Sequence, residues 1–217
     1  MRPVMILFFL VATISCGYAQ DDYYGIDFSN NKYPYGKWKP EVLKEANSCA
    51  EAGFMTEEEK KAVFLVNLAR IDGKLFAQTF WQDYYDSRRM KPSESVTSLI
   101  KDLDKTRNLP VLSPEKDLYR VTEDFAVKNG RSGKTENKGY KARYAKIAKM
   151  YSGIVENYHL GNSEAIHIVM AMLLDDANAS KTNRKNLLSK KYNAVGFSIR
   201  EHNKQKYNTV MGLATRK

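Results

Sequence analysis

Apolar and polar positions alternate along this chain with two periods, a helical one over most of residues 55–175 and a strand one near the C-terminal end. Thr56 followed by Glu59 is a capping box, with hydroxyl and carboxylate satisfying free amides at a helix start. It predicts a helix from about Glu57 to Phe80, whose apolar face is built from Val63, Leu65, Val66, Leu68 and Ala69. Asn67 and Arg70 interrupt that face at spacing three. Buried amide and guanidinium groups have to be paired, so both are expected to brace the loop after Asp72-Gly73. Residues 83–95 are charged, aromatic and contain Pro92, which predicts a loop before a short amphipathic helix over Val96–Leu103.

Ser113-Pro114-Glu115 predicts a second helix start, with Ser as cap, Pro in the first turn and an acid near the positive dipole end. Leu118, Val121, Phe125 and Ala126 share one face of that helix, and Asn129-Gly130 is its predicted end. Arg131 to Gly139 reads as a polar loop, and Tyr144, Ile147, Ala148 and Tyr151 predict a further helix before Gly153. A short strand is expected over Ile154–Asn157, then a helix capped by Asn162-Ser163 and carrying Ile166, Val169, Met170 and Leu173. Asp175 and Asp176 fall at the negative end of that helix and need partners, for which Arg184 and Lys185 are the nearest cations. Val195, Phe197 and Ile199, then Tyr207, Thr209, Met211 and Leu213, alternate as the two strands of an antiparallel hairpin.

The first residues change the picture of where the protein works. Arg2, the apolar run Val4–Ile14 and the small residues Gly17-Tyr18-Ala19 form an export leader, so residues 1–19 are set apart from the fold. A lipoprotein reading through Cys16 stays open beside simple secretion. Without the leader only Cys49 remains, so no internal disulfide can form and the core alone has to hold the domain. Residues 20–54 form an aromatic-rich arm, with Tyr23, Tyr24, Phe28, Tyr33, Tyr35 and Trp38, either packed on the domain or offering faces to a glycan. Asp21, Asp22 and Asp27 match no calcium-loop spacing. The net charge of +10, to which the leader adds only Arg2, suits anionic partners, and also simple solubility because the basic residues are dispersed. No nucleic-acid-binding signature accompanies it.

Several motifs in order carry a resemblance. Glu59-Lys60 leading to Asn67-Leu68-Ala69-Arg70 and Leu75-Phe76-Ala77, then Glu156-Asn157, Leu173-Leu174-Asp175-Asp176, Thr182-Asn183-Arg184-Lys185-Asn186-Leu187-Leu188 and Ala194-Val195-Gly196-Phe197 resemble bacterial secreted members of the CAP superfamily, the cysteine-rich secretory, antigen 5 and pathogenesis-related proteins. The resemblance covers roughly residues 55–214 and implies an α/β fold, an α-β-α sandwich with a central antiparallel sheet between helical layers. It also implies an open cleft, which in many members binds a divalent metal through histidines and acids.

At those positions this chain departs from the family. Asn183 stands for the loop histidine, Phe125 for an early helix histidine, and Thr135-Glu136-Asn137 for a further Gly-His. An amide is a weak metal ligand and a phenyl ring is none, so the usual metal site is expected to be lost and no metal and no cofactor is assigned, the remaining oxygen ligands suiting calcium or magnesium better than zinc. Glu156, Asn157, Asn183, His202 and Glu136 are the candidate cleft, and Asn67, Arg70, Asp175, Asp176 and Arg184 the candidate structural polar network. His202 is expected in a turn, and His159 and His167 are expected to be structural. The expected function is a non-catalytic extracellular binding protein with a degenerate metal cleft, its ligand a lipid, an envelope polymer or a protein. The competing reading is a hydrolase with Glu156 as general base, although the chain lacks Gly-x-Ser-x-Gly and His-Glu-x-x-His.

Overall fold

The computed structural model describes residues 34–217. The leader, Cys16, the aromatic residues before Pro34 and Asp21, Asp22 and Asp27 lie outside the described residues. After a 3-10 turn at Tyr35–Lys37, helix α1 (Pro40–Ala46) leads to α2 (Glu57–Ile71). The Thr56 capping box forms as the sequence predicts, with the Thr56 hydroxyl and the Glu59 carboxylate each accepting an amide. The single long helix expected to Phe80 is broken at Asp72, whose carboxylate accepts the Leu75 amide and starts α3 (Gly73–Phe76). A π-helical turn (Ala77–Trp81) and α4 (Gln82–Ser87) continue it into the stretch expected to be a loop. Helix α5 (Glu94–Lys105) follows, capped by Ser93.

The second predicted helix start is displaced by two residues. Ser113–Pro114 is instead the short strand β1, because the Ser113 and Glu115 amides donate to the carbonyls of Asn193 and Val195. Helix α6 (Lys116–Ser132) begins only afterwards and runs past the expected stop at Asn129-Gly130. Gly130 serves there for closeness rather than as a stop, since a Cβ on it would lie 2.0 Å from the Glu201 carbonyl. Helix α7 (Tyr140–Tyr144) and a 3-10 turn (Ala148–Met150) replace one expected helix, and Tyr151 already belongs to strand β2 (Tyr151–Leu160). Helix α8 (Ala165–Leu174) takes no cap from Asn162 or Ser163; the Glu58 carboxylate of α2 accepts the Ala165 amide at 2.8 Å. Helix α9 (Thr182–Leu187) precedes strands β3 (Ala194–His202) and β4 (Lys206–Arg216), the expected hairpin.

The strands run in the order β1-β3-β4-β2, antiparallel except for β1 beside β3. Alternation sorts their side chains onto two faces. Val195, Phe197, Met211 and Leu213 join the main core with α2 and α8, while Ala194, Ala214 and Tyr151 pack with Leu118 of α6 and Tyr144 of α7. The sheet thus lies between two helical layers, an α-β-α sandwich. Gly196 sets the spacing of one layer, because a Cβ there would come within 2.3 Å of the Leu118 backbone. Tyr35, Trp38, Leu43 and Ala46, read as part of an arm, sit in the main core, and Trp38 Nε1 donates to Thr79 Oγ1 at 3.3 Å. Cys49 is buried there too, its thiol pushed up to about 12 by desolvation. No helix among the described residues is long and apolar enough to cross a membrane.

Candidate functional site

Of the residues expected to brace the fold, Asn67, Arg70, Asp175 and Arg184 are buried and hydrogen-bonded, while Asp176 is exposed. Asn67 Nδ2 donates to Ala46 O and Leu112 O, and its Oδ1 accepts the Leu112 amide at 2.8 Å. Among the described residues the Arg70 guanidinium has no carboxylate partner, and it donates to the carbonyls of Pro110, Leu187, Ser189 and Tyr192. Desolvation pulls its pKa down to about 10. Arg184 is also fully buried, but it does not pair with Asp175 or Asp176: its donors go to Asp102, Ser98 and the carbonyls of Ser95, Leu173 and Leu174. Asp175 turns away in a left-handed conformation and accepts the Asn183 amide (2.8 Å) and side chain (3.0 Å) at the start of α9. A carboxylate at the positive end of the following helix meets the same electrostatic need that Arg184 was expected to meet. The Asp176 carbonyl accepts from Lys181 Nζ.

A second buried carboxylate was legible only as a helix cap. Glu59 is fully buried and, besides closing the capping box, accepts the Ile199 amide and the Arg200 guanidinium. Arg200 also reaches Tyr119 and Glu123, and burial beside Glu59 pushes the Tyr119 phenol up to about 12. This cluster ties α2, α6 and β3 together. Its long-range partners leave no spacing signal in the sequence.

The five expected cleft residues do not converge. Glu156 and Asn157 are neighbours on β2, so their side chains leave opposite faces of the sheet. Asn157 points to the α9 side, donating to Asn183 O at 3.0 Å and accepting from Asn186 Nδ2 at 2.8 Å. Asn183 is therefore held by Asn157 and Asp175. His202 is buried in the β3–β4 turn: its Nε2 contacts Lys134 O at 2.9 Å, while Nδ1 accepts the amides of Lys204 and Gln205. Those contacts fix the Nε2–H tautomer and occupy both ring nitrogens. Glu136 is exposed and ion-paired to Lys138 at 2.8 Å, a pairing that lowers the carboxyl and raises the ammonium.

Glu156 faces α6 and α7, with its side chain only 1% exposed. One oxygen accepts the Arg143 guanidinium and the other accepts Tyr144 Oη–H at 2.8 Å. Burial, with Glu156 alongside, drives the Tyr144 phenol far above its ordinary range. The Arg143 guanidinium lies over the Phe125 ring, 3.5 Å from its centre, and donates to Asn137 Oδ1 and to Lys138 O at 2.6 Å. Beside it, Tyr158 packs 6.2 Å from Phe125 and accepts a hydrogen bond from Asn129 at 2.8 Å. Arg143, Tyr144, Asn129 and Tyr158 escaped sequence reasoning because they meet Glu156 and Phe125 across loops rather than at a fixed spacing.

Each polar residue of this set already has a partner in the structure. A cation already sits on Glu156, Phe125 supplies no lone pair, Asn183 is bonded from the other face, and His202 is committed to backbone. Among the described residues no group of three or more His, Cys, Asp or Glu is gathered to hold a metal.

Fold and side chains together give an α-β-α sandwich with a buried acid, Glu156, paired to an internal arginine. No family model matches the sequence, and no curated protein matches it. Among solved structures, the chain is similar to an outer surface protein from Borrelia burgdorferi, at 19% identity over 59% of this chain and 97% of that one (TM-score 0.42). It is similar to Schistosoma mansoni venom allergen-like protein 4, at 15% identity over 75% and 91% (TM-score 0.49). It is similar also to an extracellular protein containing a SCP domain from Bacillus anthracis, at 11% identity over 74% of this chain and 42% of that one (TM-score 0.45). What the chain does has to come from its own side chains.

Proposed function

We propose that this chain is an extracellular, non-catalytic binding protein of CAP-like fold whose cleft has exchanged a metal for a side-chain cation. The leader-like first residues support export. The observation that carries the reading is the Arg143 guanidinium, seated between the Glu156 carboxylate and the Phe125 ring. A guanidinium there is permanently charged and is joined to the fold by its own chain, so the buried acid is neutralised without an ion from solution. The same pairing weighs against Glu156 as a general base, because both oxygens already accept hydrogen bonds and the group is closed to water.

Calorimetric titration of the protein with zinc, calcium and magnesium tests this reading. No binding is expected at micromolar metal, in the protein or in Glu156→Gln. Micromolar zinc binding that is lost in Glu156→Gln would overturn it, as would Glu156-dependent hydrolysis of a peptide or polysaccharide.

A further inference from the structure

Beside the Arg143–Glu156 pair, the end of α6 and the loop that follows enclose a hollow of about 420 Å³. Phe125, the buried Asn129 and Ser132 line it together with Lys128, Lys134, Lys138 and Glu136, the last four all exposed. Glu136 is the hollow's only acid and it is taken by Lys138. Lys128 and Lys134 form no ion pair among the described residues. Next door, Arg143 and Glu156 cancel each other. The Lys204 chain packs against Gly133 at the same end of α6, within 3.1 Å of where a Cβ would be, and brings a further cationic side chain to that end. The hollow therefore presents two ammonium groups without an ion pair, of which Lys134 is near enough to Glu136 to act on its carboxyl, and a third ammonium held by that carboxylate, beside Phe125 and an Asn129 amide that donates to Tyr158 and to the Glu136 carbonyl.

We propose that this hollow binds a phosphate group. A phosphate monoester dianion matches the two ammonium charges without an ion pair, and its oxygens can accept from several donors at once, for which lysine acts as a mobile point charge. In this arrangement the Glu136–Lys138 pair is a competitor: a bound phosphate has to win Lys138 from Glu136 or do without it. The inference rests on the binding reading above and names the ligand chemistry for the same cleft region. The lysines also complement the negative end of the α6 dipole. That electrostatic role alone would affect stability and leave phosphate affinity unmoved.

The test is an NMR titration of the protein with inorganic phosphate at low ionic strength, following the amides of residues 128–138 and the Asn129 side chain. Saturable shifts confined to that region are expected. Lys128→Gln and Lys134→Gln should each weaken binding about fivefold, the upper end for an exposed charge pair. Glu136→Gln should strengthen it by a similar factor, and Lys185→Gln on α9, an equal change in net charge, should leave it unaltered. Sedimentation with vesicles of phosphatidic acid, against phosphatidylcholine alone, separates a lipid headgroup from free phosphate as the source. No shift at low-millimolar phosphate would overturn the proposal. So would equal weakening by Lys185→Gln, or weaker binding in Glu136→Gln. The two readings fail separately: missing phosphate binding leaves the metal titration unchanged, and Glu156-dependent zinc binding leaves the lysine responses unchanged.

Discussion

Replacing Gly196 by Ala adds one methyl group at the tightest contact between the sheet and α6. Its Cβ would lie 2.3 Å from Leu118 C, 2.4 Å from Tyr119 N and 2.7 Å from Leu118 O, all of them backbone atoms. No rotamer change can relieve contacts of that kind, so the helix has to lift from β3 by about 1 Å, as ordinary carbon contacts of 3.5–4.0 Å demand. Overpacking a close-packed interface costs about 1–3 kcal/mol, and a clash with backbone alone belongs at the upper end. For a domain of this size, 3 kcal/mol corresponds to a fall in Tm of about 6–12 °C. The control is Gly153→Ala, where nothing lies within 4 Å of the added atom. That variant should be neutral or gain up to about 1 kcal/mol through a less flexible unfolded chain. Urea unfolding followed by the fluorescence of the buried Trp38 and Trp81 measures both. Equal midpoints for the two variants would refute the claim that Gly196 sets the approach of α6.

Two further outcomes are expected. Arg70→Lys keeps the charge but offers three donors in place of a five-donor fork, leaving at least one of the four carbonyls it serves unpaired. A loss of about 3 kcal/mol in the same unfolding assay is expected, and a wild-type midpoint would show that water or rearranged backbone satisfies the site. His159 is held neutral by burial, with its pKa lowered and its Nε2 in contact with the Asn162 amide at 2.9 Å. Between the lowered folded pKa and the unfolded value near 6.5, the unfolded chain binds the extra proton, so stability falls as pH drops through about 6.5. A His159→Gln variant should lose that part of the pH dependence, and an unchanged Tm-versus-pH slope would count against it.

Legibility in the sequence followed the range of the interactions. The Thr56–Glu59 box and the Val195 to Leu213 hairpin depend on neighbours a few residues apart, and the structure has both. Ser113-Pro114-Glu115 carried the same kind of local signal, yet the β3 backbone claimed its amides for a strand. Burial of Asn67 and Arg70 could be read from polar residues on an apolar face, but most of their acceptors are carbonyls 40 or more residues away, and backbone has no sequence signature. The cleft was the least legible part. Glu156 and Asn157 stand side by side in the chain and part company in space, while Arg143 arrives from α7 with nothing in its spacing to announce it.

Because the cation beside Glu156 is part of the polypeptide, the charge that offsets this buried acid is installed at folding rather than drawn from solution. On the binding reading proposed above, a protein built this way would hold the pairing without depending on metal supply.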